Sequence, residues 1–184
     1  MRHGNYSAIP ITLIAAFFLM AAACCSPREE AERNKEVVEQ VAAAIMAYDY
    51  DTLDRYMAED YKRHCQATPD AKVESLEDFK NLMRGYENAF PDAEMKLEFL
   101  VAEGDLVAIW GKYLGTHTGP MGDIPATGQK VDSDFGGVHR LVDGKIVETW
   151  VTWDNVTMLQ QLGLFPTPEE MAAGSSPDTL ESDP

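Results

Sequence analysis

The side chains able to do chemistry in this chain concentrate between Asp132 and Phe165, DSDFGGVHRLVDGKIVETWVTWDNVTMLQQLGLF. His139, Glu148 and Asp154 are groups that can carry protons in general acid–base work. They lie among Phe135, Leu141, Ile146 and Trp150. Asp143-Gly144 is a two-residue hairpin signal, because both residues accept positive φ. With those two as the loop, Leu141 pairs with Ile146, His139 with Glu148, Gly137 with Trp150, and Ser133 with Asp154. Opposed side chains share a face, and each face repeats every second residue. One face is therefore expected to carry Phe135, His139, Leu141, Ile146, Glu148, Trp150 and Asp154. Such a mixture of apolar and titratable groups describes a pocket wall rather than an ordinary core face.

The remaining elements must hold that wall. Residues 27–48 place Val37, Val38, Val41, Ile45 and Tyr48 at helical spacing. Asp51 and Asp54 have capping-box spacing for a short second helix with Leu53, Tyr56 and Met57. Residues 61–66 suit a brief strand and 67–73 a loop. Ser75-Leu76-Glu77-Asp78 opens a third helix, with Leu76, Phe79, Leu82, Met83, Tyr86 and Phe90 on one stripe, stopped by Pro91. The period then becomes alternating. Met95, Leu97 and Phe99 lead to a turn at Glu103-Gly104-Asp105 and a long strand from Leu106 to Thr116. A Gly/Pro-rich loop reaches Gly128, the hairpin follows, and Asp154 starts a last helix with Gly163 as its stop. Helices on one face of a meandering antiparallel sheet make an α+β domain, and a curved sheet closed by helices would form a cone around a pocket.

The chain has 184 residues, enough for one domain with appended segments. Residues 1–23 hold Arg2 and an apolar run from Ala8 to Ala23, the pattern of a secretory signal peptide. The small residues before Cys24 suggest a lipobox, so Cys24 is expected to be lipidated, with residues 24–32 as a tether. That places the domain, residues 33–165, at the bacterial cell envelope through a lipid anchor; plain cleavage and a secreted soluble chain is the alternative. Residues 166–184 read as an acidic disordered tail. Three cysteines do not make a disulfide framework, and Cys65 reads as a small apolar residue. With 31 acids against 15 bases and a net charge of −16, nucleic acid and anionic lipid are disfavoured as partners. No paired histidine spacing points to a metal, and no glycine-rich phosphate loop or Ser–His nucleophile motif occurs.

Several segments, in order, resemble the SnoaL-like polyketide cyclase or ester cyclase group of the nuclear-transport-factor-2-like superfamily. They are Ala89-Phe90-Pro91-Asp92, residues 102–107, Gly115-Thr116-His117-Thr118-Gly119, residues 124–128, His139-Arg140, residues 143–150, Asp154, and Gln161-Leu162-Gly163-Leu164. The resemblance implies a cone fold and cofactor-free acid/base chemistry, an intramolecular aldol closure in the family's cyclases. It places the catalytic acid/base on Asp154 and its helper on His139. Trp150, Glu148, His117, His64 and Phe135 are then expected to line the ligand site. A homodimer is expected by analogy.

Each residue also has a plainer role open to it. Asp154 can be the N-cap of the last helix. His139 can be a wall residue paired with Glu148, and His117 can gate the mouth or end a strand. Trp110 reads as core and Trp153 as lying outside the pocket. Two functions remain: a cyclase or isomerase acting on a small apolar carbonyl compound, or a non-catalytic ligand-binding or scaffold lipoprotein using the same cavity. Epoxide hydrolysis would need an Asp–Arg–Asp relay, for which Arg140, Asp132 and Asp134 have the wrong parity.

Overall fold

The computed structural model describes residues 26–174. The signal segment, the lipidation site at Cys24 and the end of the tail lie outside the described residues. Helix α1 spans Pro27–Met46 and begins well inside the segment read as a tether. Its start is written in Ser26-Pro27-Arg28-Glu29. The Ser26 hydroxyl accepts from Glu29 N–H, the Glu29 carboxylate accepts from Ser26 N–H, and Pro27 supplies a preset φ. Asn34, Val38, Val41 and Ala44 form its buried stripe. Asn34 donates to the carbonyl of Gly104 at 3.2 Å, fastening α1 to a turn of the sheet.

Helix α2 is only Leu53–Tyr56. It is not capped by Asp51; instead Asp49 accepts from both Thr52 N–H and its hydroxyl. Strand β1, Met57–Cys65, follows at once. Helix α3, Leu76–Ala89, is capped by Ser75, whose hydroxyl accepts from Asp78 N–H. Its Lys80 is buried and forms an ion pair with Asp54 at 2.7 Å. Strands β2 (Glu94–Glu103), β3 (Leu106–Thr116), β4 (Lys130–Val142) and β5 (Lys145–Trp153) make antiparallel hairpins. Helix α4, Asn155–Gln161, closes the domain. The stretch read as tail includes a further helix, α5, Pro168–Gly174.

The sheet order is β1-β5-β4-β3-β2, and β1 runs parallel to β5. The sheet is thus mixed at one edge rather than purely antiparallel. It is curved and unclosed, and helices cover its inner face. Between them lies a core of Val38, Leu53, Tyr61, Phe79, Val107 and Ile146, with others. A second cluster, Ala89, Phe90, Val131 and Leu162, fills the end near α4.

The ladder between β4 and β5 departs from the expected register. Leu141 still pairs with Ile146, but Arg140 pairs with Glu148, His139 with Thr149, Val138 with Trp150 and Phe135 with Trp153. Val147 is therefore an extra residue, a bulge that turns every later β5 side chain to the opposite face. The β1–β5 ladder is also irregular between the Met57–Ile146 and Lys62–Glu148 pairs, so the sheet bends at one level across both ladders.

Candidate functional site

The bulge decides which side chains meet. On the concave face, Val107, His139, Thr149 and Arg63 lie in one register row across β3, β4, β5 and β1. Adjacent strands stand about 4.8 Å apart, so these side chains are neighbours. The next inward row holds Ile109, Gly137, Val151 and Cys65, and beyond it come Gly111, Phe135 and Trp153. Phe135 and His139 thus face inward as expected, and Trp153 joins them instead of lying outside.

His139 makes one hydrogen bond, from Nδ1 to the Thr149 hydroxyl at 2.9 Å. Its Nε2 is buried and has no partner. Burial without an acidic neighbour pushes the imidazole pKa down to about 4, so the ring is neutral at ordinary pH. Thr149 is buried and also meets the hydroxyl of Tyr61, whose pKa burial pushes up to about 12. Arg63, nine-tenths buried, stacks its guanidinium over the Trp153 ring at 5.8 Å and leaves Nη1 buried without a partner. Its charge reaches Tyr61 and Tyr86, and burial raises the Tyr86 pKa. Trp153 is held by its indole N–H, which donates to the Asn155 side chain at 3.3 Å.

Asp154 does not share this face. It caps α4, its two carboxylate oxygens accepting from the Thr157 hydroxyl at 2.6 Å and the Thr157 N–H at 3.0 Å. Those bonds hold its carboxyl below the usual range, led by the hydroxyl, which is the reverse of a base tuned toward neutrality. The bulge likewise turns Glu148 and Trp150 to the convex face. His64 is there too, in register with Trp150. His64 Nε2 meets Glu148 at 2.8 Å and its ring stacks on Trp150, while Arg140 binds Glu148 at 3.0 Å and covers the same indole. Trp110 is on this face as well, 40% exposed and resting over Gly136, not in the core. Asp132 and Asp134 pair with Lys112 there.

His117 is fully buried and bonded to the end of the Gly/Pro-rich loop, at Thr127, Gly128 and Gln129. Its Nδ1 accepts from Thr127 N–H and its ring stacks on Phe90, at the second cluster rather than beside His139. A shallow depression of about 480 Å³ opens at the far end of β3 and β4, lined by Asp92, Thr116, Lys130, Asp132 and Gln161 among others. Its polar groups are largely spent on one another: Asp92 accepts twice from Thr116, and Gln161 brackets the Asp132 backbone. The row at His139 is the better candidate, because it holds two buried polar atoms without partners, His139 Nε2 and Arg63 Nη1. Among the described residues no cluster of three metal-ligating side chains occurs.

Arg63, Tyr61, Thr149 and Tyr86 were missed by reading motifs. A signal for them existed in the alternation Tyr61-x-Arg63-x-Cys65, which sends His64 outward whenever its neighbours point in.

Residues 35–162 match the family model described as SnoaL-like polyketide cyclase. Among solved structures, IdmH of Streptomyces antibioticus, named as a candidate polyketide cyclase, is 30% identical; the match covers 71% of this chain and 98% of that one, with a TM-score of 0.63. AclR of Streptomyces galilaeus, named as a candidate hydroxylase, is 28% identical over 80% of this chain and 96% of that one, with a TM-score of 0.67. A SnoaL-like polyketide cyclase of Agrobacterium tumefaciens shares the fold at 17% identity, covering 71% and 98% of the two chains, with a TM-score of 0.60. Among curated proteins nothing matches.

Proposed function

This chain belongs to the SnoaL-like polyketide cyclase family, and from that membership we propose that its concave face binds a small, mostly apolar carbonyl compound with His139 Nε2 as partner of the carbonyl. The observation that carries this reading is the buried, unpartnered Nε2 of a neutral imidazole, in the same register row as Arg63, whose Nη1 is also buried without a partner. An apolar wall with a few convergent polar atoms is the usual make-up of a ligand site. The ring has two tautomers. If the Thr149 hydroxyl donates to Nδ1, Nε2–H is a donor to a carbonyl oxygen. If Thr149 accepts from Nδ1–H, the Nε2 lone pair can take a proton from the carbon beside the carbonyl. The first state serves binding and the second serves acid/base cyclisation or isomerisation.

Proton exchange at an enolisable ketone separates the two. The full chain in heavy water with 2-tetralone is expected to speed α-deuteration, followed by NMR. His139→Gln is expected to slow it by about a hundredfold, the usual scale of one general acid–base group. Tetralone binding without any exchange would leave a binder; no binding of any aryl or alkyl ketone would sink the reading.

The envelope location is proposed on the apolar run and small residues before Cys24. Palmitate fed to cells making the chain should label it, and Cys24→Ala should abolish the label; an unlabelled parent chain would leave the secreted alternative.

The convex face is proposed to meet a second copy. It exposes Phe99, Val101, Trp110 and Trp150. Its acids are matched by bases, Glu148 and Asp105 by Arg140, and Asp132 and Asp134 by Lys112. A chain of net charge −16 thus presents one surface whose named acids all sit in ion pairs, which lowers the repulsion between two approaching copies. Sedimentation of the parent chain as a dimer, and of Trp110→Glu as a monomer, is the expected result; a monomeric parent refutes it.

A further inference from the structure

Arg63 is an anomaly of electrostatics. The chain carries twice as many acids as bases, 31 against 15. Among the described residues the other buried cation, Lys80, has its carboxylate at 2.7 Å. Arg63 is buried to a comparable degree, yet among the described residues no carboxylate lies within ion-pairing distance of its guanidinium. Its guanidinium lies over the Trp153 ring, and Nη1 is left without an acceptor. Removing a charge from water without a partner is strongly unfavourable. On the concave face read above as the ligand's wall, such a group calls for an anion from outside.

We propose that Arg63 is the counter-charge for a carboxylate on the ligand, so that the compound bound on the concave face is an oxo acid with an apolar body. The proposal rests on the binding reading above and adds the ligand's charge to it. The planar guanidinium presents paired N–H donors that fit a carboxylate edge-on. The hydroxyls of Tyr61 and Tyr86 lie within reach of the same charge. Thr149 separates Arg63 from His139 by one strand in the same register row. A molecule with its carboxylate at Arg63 and its ketone at His139 spans two interstrand spacings, about 10 Å between backbones. Phe135, Val151 and Trp153 would cover its apolar part. A single guanidinium among neutral donors suits a singly charged group better than a phosphate dianion.

The test compares two probes of one shape, 2-naphthoate and 2-naphthamide, by calorimetric titration of the full chain. The unaltered protein is expected to bind the naphthoate about tenfold or more tightly, the scale of a charge-assisted bidentate pair. In Arg63→Gln the ratio of the two affinities is expected to fall to about one. Equal binding, or a preference for the amide, in the unaltered protein overturns the proposal while leaving the carbonyl-binding reading in place. Preference kept in Arg63→Gln also overturns it, because the charge then comes from elsewhere. Failure of both probes and of every neutral ketone removes both readings together. Should Arg63→Gln not fold, the comparison in the unaltered chain still decides, supported by a larger rise in melting temperature with naphthoate than with naphthamide.

Discussion

Replacing His139 by Gln is expected to remove a loss of about 3 kcal/mol in stability that the parent chain suffers between pH 6.5 and pH 4. The sign follows from where protons bind. Below pH 6.5 the imidazole of the unfolded chain takes up a proton, whereas the buried ring, with its pKa pushed down to about 4, does not. Unfolding therefore absorbs a proton in this window, and stability falls as pH drops through it, then levels once the folded ring is protonated. Above pH 6.5 the contribution is fully present. Gln cannot titrate, so urea midpoints for His139→Gln should lose this slope. Carboxylates held below their ordinary values, such as Asp92 and Asp154, add a steeper acid limb at lower pH, but both proteins share it. An unchanged difference between pH 7 and pH 4.5 in the variant would show that the ring is solvated rather than buried. The same neutrality means that any His139-dependent exchange should be flat from pH 5 to pH 8.

Deleting Val147 should leave the domain folded but clearly less stable. Without it Glu148 follows Ile146 directly, and an unbulged ladder makes the pairs Arg140–Glu148, His139–Thr149 and Val138–Trp150 that the bulge otherwise sets. Simple alternation then keeps Ile146 and Thr149 on the helix-covered face and Glu148 and Trp150 on the other. What the deletion removes is the local bend and twist of a bulge, at the level where β1 also shifts its register against β5. A cost of roughly 1–3 kcal/mol is expected, read as a lower urea midpoint. Near-ultraviolet circular dichroism, rich in signal from three tryptophans, should stay native-like. Val147→Ala, which keeps the extra residue, should unfold cooperatively near the parent's midpoint. A deletion variant that does not fold would show that the sheet needs the bend itself and not only the facing that the bulge sets.

That bulge also marks where reading the sequence ran out. The helices were legible because their signals are local: Ser75 caps where its spacing to Asp78 says it should, and Val38 and Val41 lie on the buried stripe of α1. The turn at Asp143-Gly144 and the first pairs after it were legible for the same reason. Nothing in Ile146-Val147-Glu148 announces an extra residue. Its cause is tertiary, since both ladders of β5 change register at that level. Parity counted outward from the turn was therefore right for Phe135, His139 and Leu141 and reversed for Glu148, Trp150 and Asp154. Asp154 failed for a second reason: an Asp before Asn-Val-Thr can cap a helix or tune a pocket, and Thr157 supplies both bonds that decide for the cap. Arg63 was overlooked because an unpartnered guanidinium is visible only when its neighbours are known. The start of α1 was in plain view as Ser-Pro-Arg-Glu, but the adjoining apolar segment drew those residues into a tether.

The parallel pairing of β1 with β5 has a bearing on time. Met57 meets Ile146 across roughly ninety residues of chain, and closing so long a loop carries an entropy penalty of (3/2)RT ln n. Four strands can zip as hairpins between near neighbours, but the edge strand that carries Arg63 has no place to dock until the last strand exists. During synthesis β1 leaves the ribosome among the first elements and waits for almost the whole domain to follow. Folding that must wait for so remote a contact is slowed by its loop-closure cost. The proposed ligand wall, which joins the first strand to the last three, is thus among the final parts of the molecule to come into being.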